Sequence, residues 1–165
     1  MEAERNAKVL THYDEAVFGK ILWQAARSKW WIVPTSLLYA LLSAVLILYA
    51  MAQAWWFYIP VAIAVSFFLW RIYEVHQPVV LVTEKMLLVT NGYTWEKGAG
   101  YFPKREYLAV SYKEIVGFSH RFTEMTVGEP TYGGLAQISV PFAFLSPSDK
   151  QKLVSYIEEK QGNAS

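Results

Sequence analysis

Three histidines, fourteen carboxylates and no cysteine are what this chain offers for chemistry, and their spacing assembles no known catalytic device. His12, His76 and His120 stand in three separate segments. None lies at i, i+4 from another or in an HExxH setting, which would put two imidazoles on one helix face for zinc. The absence of cysteine removes disulfides, thiolate nucleophiles and cysteine-ligated metal sites. No serine sits in a GxSxG elbow and there is no GxxxxGK[S/T] loop. Gly98-Ala99-Gly100 is a glycine pair without the strand-to-helix context that lets backbone N–H groups cradle phosphate. The expectation is a protein that is not an enzyme, with no catalytic, cofactor or metal site and no small-molecule substrate. His76 reads as the polar end of a helix.

Two binding chemistries remain. Lys104, Arg105, Lys113 and Arg121, together with Arg27, Lys29 and Arg71, are the cations that could face anionic lipid headgroups. Glu106, Glu114 and Glu124 stand beside several of them, which is also the pattern of a solvated strand face. The net charge of +1 argues against a nucleic-acid partner, since duplex binding rests on a strongly basic patch. The second chemistry is aromatic. Tyr93, Trp95, Tyr101 and Phe102, with Tyr132, supply more large rings than solubility needs, and such rings anchor protein interfaces. The expected role is an accessory or scaffolding subunit of a larger membrane assembly, with other membrane protein subunits and lipids as partners. Binding of anionic lipid headgroups is the alternative.

The element that must position these groups is the stretch from Trp30 to Trp70, which contains no Asp, Glu, Lys, Arg or His. A helix crosses the hydrocarbon core in about 20 residues, so this length suits two crossings and a tight turn. The spans are expected at about 31–52 and 58–73, with the Trp- and Tyr-rich turn at headgroup level. Pro34 and Pro60 fall in the first turn of each helix, where a missing N–H breaks nothing. Ser36, Ala40 and Ala44 on one helix, and Ala62 and Ser66 on the other, form small-residue rows on which the backbones could approach. Arg27, Lys29 and Arg71 flank the spans while the turn is uncharged. The positive-inside rule therefore puts both termini in the cytoplasm of a cell whose inner membrane holds the hairpin. The mixed charges before Trp30 do not form a cleaved signal peptide.

Around the hairpin the pattern changes. Thr11-His12-Tyr13-Asp14 reads as a capping box opening an amphipathic helix that runs into the first span, with Gly19 as its bend. After Pro78 the period becomes two. Val79–Thr83 and Met86–Thr90 form a hairpin about Glu84-Lys85, and Asn91-Gly92 marks a turn into an aromatic loop from Tyr93 to Arg105. Tyr107–Tyr112, Ile115–Phe122 and Leu135–Phe142 are further strands, and residues 127–134 form a Gly/Pro-rich loop. Ser146-Pro147-Ser148-Asp149 is a second capping box, opening a helix with Leu153, Val154, Tyr156 and Ile157 on one side.

This order of elements resembles the YcxB-like family of bacterial membrane proteins. So do Val82-Thr83-Glu84-Lys85, the run Val110-Ser111-Tyr112-Lys113-Glu114-Ile115, and Ile138-Ser139-Val140-Pro141 with Leu145-Ser146. The resemblance implies an α+β membrane protein. A two-helix transmembrane hairpin would carry a small antiparallel β domain of the pleckstrin-homology-like (PH-like) kind, closed by a C-terminal helix. The expected domains are a cytoplasmic N-terminal segment with an amphipathic helix at 1–29, the hairpin at 30–76, and the cytoplasmic PH-like domain at 77–165.

Overall fold

The computed structural model describes residues 9–53, 55–94, 104–128 and 134–162. In chain order these form β1 (Val9–Thr11), α1 (Glu15–Phe18), β2 (Ile21–Ala26), α2 (Lys29–Met51), α3 (Tyr58–His76), β3 (Pro78–Thr83), β4 (Met86–Thr94), β5 (Lys104–Ser111), β6 (Ile115–Phe118), β7 (Glu124–Gly128), β8 (Leu135–Ser139) and α4 (Pro147–Gly162). Short 3-10 turns lie at Trp55–Phe57, Tyr112–Glu114 and Pro141–Phe144. The chain is α+β and divides into two compact units. One, Ala26–Gln77, holds α2 and α3; the other holds two small antiparallel sheets, ordered β1-β5-β4-β3-β2 and β6-β7-β8, with α1 and α4.

The larger sheet follows from strands that are apolar at consecutive positions, so that both faces must be covered. Val80, Val82, Leu87 and Val110 share one buried cluster with Met125 and Ile138 of the smaller sheet and with Leu153 and Ile157 of α4. The intervening residues Leu81, Leu88, Tyr107 and Ala109 form a second cluster, completed by Phe18 of α1. The capping box of α4 forms as expected. Ser146 Oγ accepts from the Asp149 N–H at 3.1 Å and donates to its carboxylate at 2.6 Å.

The N-terminal segment differs from the expectation. No continuous helix leads into α2: α1 has four residues, opens at Asp14 rather than Thr11, and stops at Gly19. The chain then enters β2, an edge strand next to β3. Ile21, Leu22 and Trp23 fit either period, but Ala25 is buried and Trp23 packs against the core while Leu22 and Gln24 face outward. Pairing with β3 selects that alternation over the helical one. The segment is fastened to the β3–β4 turn. Glu84 accepts the Lys20 N–H at 3.2 Å, the Glu84 N–H donates to Lys20 O at 3.1 Å, and Lys85 Nζ donates to Val17 O at 3.0 Å.

Two further turns were misplaced by sequence. Asn91-Gly92 is not a turn: β4 continues to Thr94 across a register shift between Thr90 and Gly92, and the Asn91 side chain donates to Glu106 at 3.2 Å. A bulge absorbs the glycine without ending the ladder. The segment 115–122 is not one strand either; it turns at Ser119 and returns as β7, whose last two residues fall in the stretch expected to be a loop. Ser119 accepts the Phe122 N–H on its carbonyl, and its hydroxyl accepts from Thr123 and Glu124. Phe122 closes this turn at φ 56°, a position where glycine is usual, with its ring stacked on Phe118.

In the helical unit α2 and α3 match the two expected apolar helices closely. Pro34 lies one turn deeper than expected because α2 begins at Lys29, with Ser28 Oγ accepting from the Trp30 N–H at 3.4 Å. The helix contact is not the small-residue row. Of that row only Ser36 is partly covered; Ala40, Ala44, Ala62 and Ser66 are exposed, and the inward positions of α2 are Ser36, Tyr39, Ser43, Leu46 and Ala50, at the three-and-four spacing of a coiled-coil seam. Tyr39 stacks on Phe68 with ring centroids 5.6 Å apart, and Ser43 satisfies its buried hydroxyl by donating to Tyr39 O at 2.8 Å. Ring stacking and an internally bonded serine thus set the helix rotation.

Gly19 provides a test of the fastening. Its φ is +76°, and a methyl group there would meet the Glu84 Cβ at 2.9 Å. Gly19→Ala is expected to cost about 1–3 kcal/mol from its positive-φ, extended-ψ backbone alone, read as a lower denaturation midpoint at unchanged m-value.

Candidate functional site

The chemistry-bearing side chains of the β unit are occupied in holding the fold. His12 Nδ1 lies 2.7 Å from Arg105 O, so that nitrogen carries the proton and donates to the carbonyl. His120 is exposed on the β6–β7 turn. In the helical unit His76 Nδ1 donates to Ile72 O at 2.8 Å, an intrahelical bond. Among the described residues no three His, Asp or Glu side chains gather as a metal site would require. The buried Tyr112 hydroxyl is shared between Thr83 O at 2.7 Å and Met86 O at 2.9 Å, which pins the β3–β4 turn from beneath. Burial pushes the Tyr112 phenol far above its ordinary 10.0. Burial also raises the Glu114 carboxyl, against a lowering bond from the Ser111 backbone. These two shifts mark structural burial.

The groups that do converge lie at one end of the helical unit. Arg71 pairs with the Glu74 carboxylate one turn away. Arg27 Nη1 reaches the Glu74 carbonyl at 3.4 Å, where a cation meets the negative end of the α3 dipole. Lys29 is exposed nearby in the first turn of α2. Exposed rings surround this end: Trp30 (89% exposed), Trp31, Trp70 and Tyr73. A second ring set, Trp55 (76% exposed), Trp56 and Tyr58, sits at the interhelical turn, where no residue is charged. From Trp31 to Met51 the helical rise amounts to about 30 Å. Between the two sets the outward surface is mainly aliphatic, with Leu37, Leu41, Leu48, Ile59 and Ile63 exposed alongside Tyr49 and Phe67. Both helices are long and apolar enough to cross a membrane.

The sequence-flagged residues distribute as follows. Arg27 and Arg71 meet on Glu74, which sequence reasoning passed over although its i, i+3 spacing from Arg71 was a legible signal. Lys113 and Arg121 are exposed on separate turns of the β unit, and half-buried Arg105 lies over the Tyr107 ring with its Nε donating to Thr90. Tyr93 and Lys104 are placed by backbone register alone, in the β4–β5 ladder. Trp95, Tyr101, Phe102 and Tyr132 lie outside the described residues. Compared with known proteins, the chain matches no family model, no curated protein and no solved structure.

Tyr112 gives a pH test. The folded phenol keeps its proton where the unfolded one, near 10, gives it up, so stability from this group is complete below about pH 10 and falls as pH rises beyond it. Tyr112→Phe is expected to flatten that alkaline slope in denaturation series between pH 8 and 11. At neutral pH it should cost about 1–2 kcal/mol, because the turn carbonyls lose a donor.

Proposed function

We propose that this is a two-pass integral membrane protein, resembling the YcxB-like family, that serves as an accessory or scaffolding subunit of a membrane assembly. Its β unit is a PH-like domain closed by α4 and tethered to the membrane through the helices. The observation that carries the reading is the aliphatic exterior of the helical pair between two rings of aromatic side chains about 30 Å apart. In water this surface would far exceed the few hundred Å² of contiguous apolar patch that a monomer normally tolerates. In a bilayer it matches the hydrocarbon thickness, with both ring sets at headgroup level.

Connectivity supports the hairpin form. α2 and α3 are inserted between β2 and β3, neighbours in one sheet, through Arg27-Ser28 on one side and Gln77 on the other. Strands that share a ladder lie on one side of a bilayer, which agrees with an even number of crossings. Arg27, Lys29 and Arg71 favour the cytoplasmic side of the inner membrane for both ends. The partner surface is the aromatic segment with Tyr93, Trp95, Tyr101 and Phe102, together with Tyr132, facing other membrane subunits. No enzymatic role and no cofactor belong to this reading.

Two measurements test it. Alkaline carbonate washing of membranes should leave the protein in the pellet, and its release would overturn the spanning. Mass measurement of the detergent-extracted native particle should give a value well above one 18.9 kDa chain plus detergent, with other polypeptides in fixed ratio. Trp95→Ala should at least halve partner recovery while leaving carbonate resistance intact; full recovery counts against the aromatic segment as the contact.

A further inference from the structure

We propose that α4 is a clasp on β2: the docking of these two segments, far apart in sequence, is a single cooperative event, so that release of α4 frees the strand that leads into α2. The inference uses contacts within the β unit alone and stands apart from the membrane-spanning reading. β2 is an edge strand; among the described residues it neighbours β3 on one side and no strand on the other. Its place therefore rests heavily on side chains. Trp23 stacks on Tyr156 of α4, with ring centroids 5.8 Å apart and planes 28° from parallel. Both rings lie half-buried against the cluster that holds Ala25, Leu153 and Ile157, so each covers the other.

A second route joins the same two segments through the core. The Gln161 amide, at the end of α4, donates to Tyr112 O at 2.8 Å and to Ile115 O at 2.7 Å, which holds the 3-10 turn between β5 and β6. The Tyr112 hydroxyl meets Thr83 O and Met86 O in the β3–β4 turn. From that turn Glu84 and Lys85 reach the segment entering β2. The Glu84 carboxylate accepts the Lys20 N–H, while the Lys85 N–H and Nζ donate to Phe18 O and Val17 O. Hydrogen bonds and the residues that carry them thus run from the end of α4 to the start of β2. Neither segment is held by itself. A helix of 16 residues is marginal in water without tertiary contacts, and an edge strand with one ladder belongs to the low-stability end of a sheet. Two marginal segments that cover each other open together rather than in turn.

The test is amide hydrogen exchange of the full chain in dodecyl maltoside micelles, read by mass spectrometry on peptides from β2, α4 and the β4–β5 ladder as urea is raised below the unfolding range. In the unaltered chain β2 and α4 should share one opening equilibrium and one urea dependence, and both should exchange faster than β4 and β5. Separate openings of β2 and α4, or opening of the two only together with β4 and β5, overturn the clasp. This comparison needs no variant to fold. Gln161→Ala removes two bonds and should speed exchange about tenfold in β2 as well as in α4. Glu84→Ala, at the other end of the route, should speed exchange in α4 by a similar factor, because coupling is reciprocal. Acceleration confined to the altered segment overturns the proposal. Ser155→Ala, on the exposed side of α4, should leave β2 at its original rate, and a tenfold acceleration of β2 there would overturn the assigned contacts.

Discussion

The pairing of β2 with β3 is the constraint on which the remaining structure depends. These strands are sheet neighbours, yet the chain between them is the whole helical unit. Bringing them together closes a loop whose entropic cost grows only slowly with length, and internal order in α2 and α3 reduces it further. The β3–β4 turn sustains the result from two sides. Glu84 and Lys85 hold the segment leading into β2, and Tyr112 bonds the turn carbonyls from the core. A small sheet that would otherwise have β3 as an exposed edge gains a fifth strand and a covered outer face.

The two units obey different packing rules. In the β unit, consecutive apolar residues are divided between two clusters by strand alternation. In the helical unit, Tyr39 and Ser43 are turned inward, with Ser43 donating to Tyr39 O along the seam, while large aliphatic side chains point out. That inversion suits a medium of hydrocarbon, where backbone and side-chain polar groups must be satisfied internally.

What was legible in the sequence was what local chemistry decides. The uncharged run from Trp30 to Trp70 gave both long helices, and Ser146 with Asp149 gave the start of α4. β2 was illegible because Ile21, Leu22 and Trp23 satisfy two periods and the deciding partner, β3, is remote in sequence. β7 was hidden because its hairpin turns on Phe122 in a left-handed conformation rather than on a glycine, and the Asn91-Gly92 signal was spent on a bulge. Arg27, Lys29 and Arg71 could each be flagged by charge. That Arg27 joins Arg71 on Glu74 depends on how the two helices pair, which no local pattern encodes.

Inserting the helices between adjacent strands also orders the protein's biogenesis. β2 leaves the ribosome before α2, and its ladder partner does so only after α3, so the five-stranded sheet cannot be completed until both helices have been made. If the helices span a bilayer as proposed, a chain that crossed once instead of twice would strand β2 and β3 on opposite sides and leave β3 as an unpaired edge. Under the proposed membrane-spanning reading, completion of the sheet would therefore require an even number of crossings, and a misthreaded hairpin would leave β3 as an exposed edge.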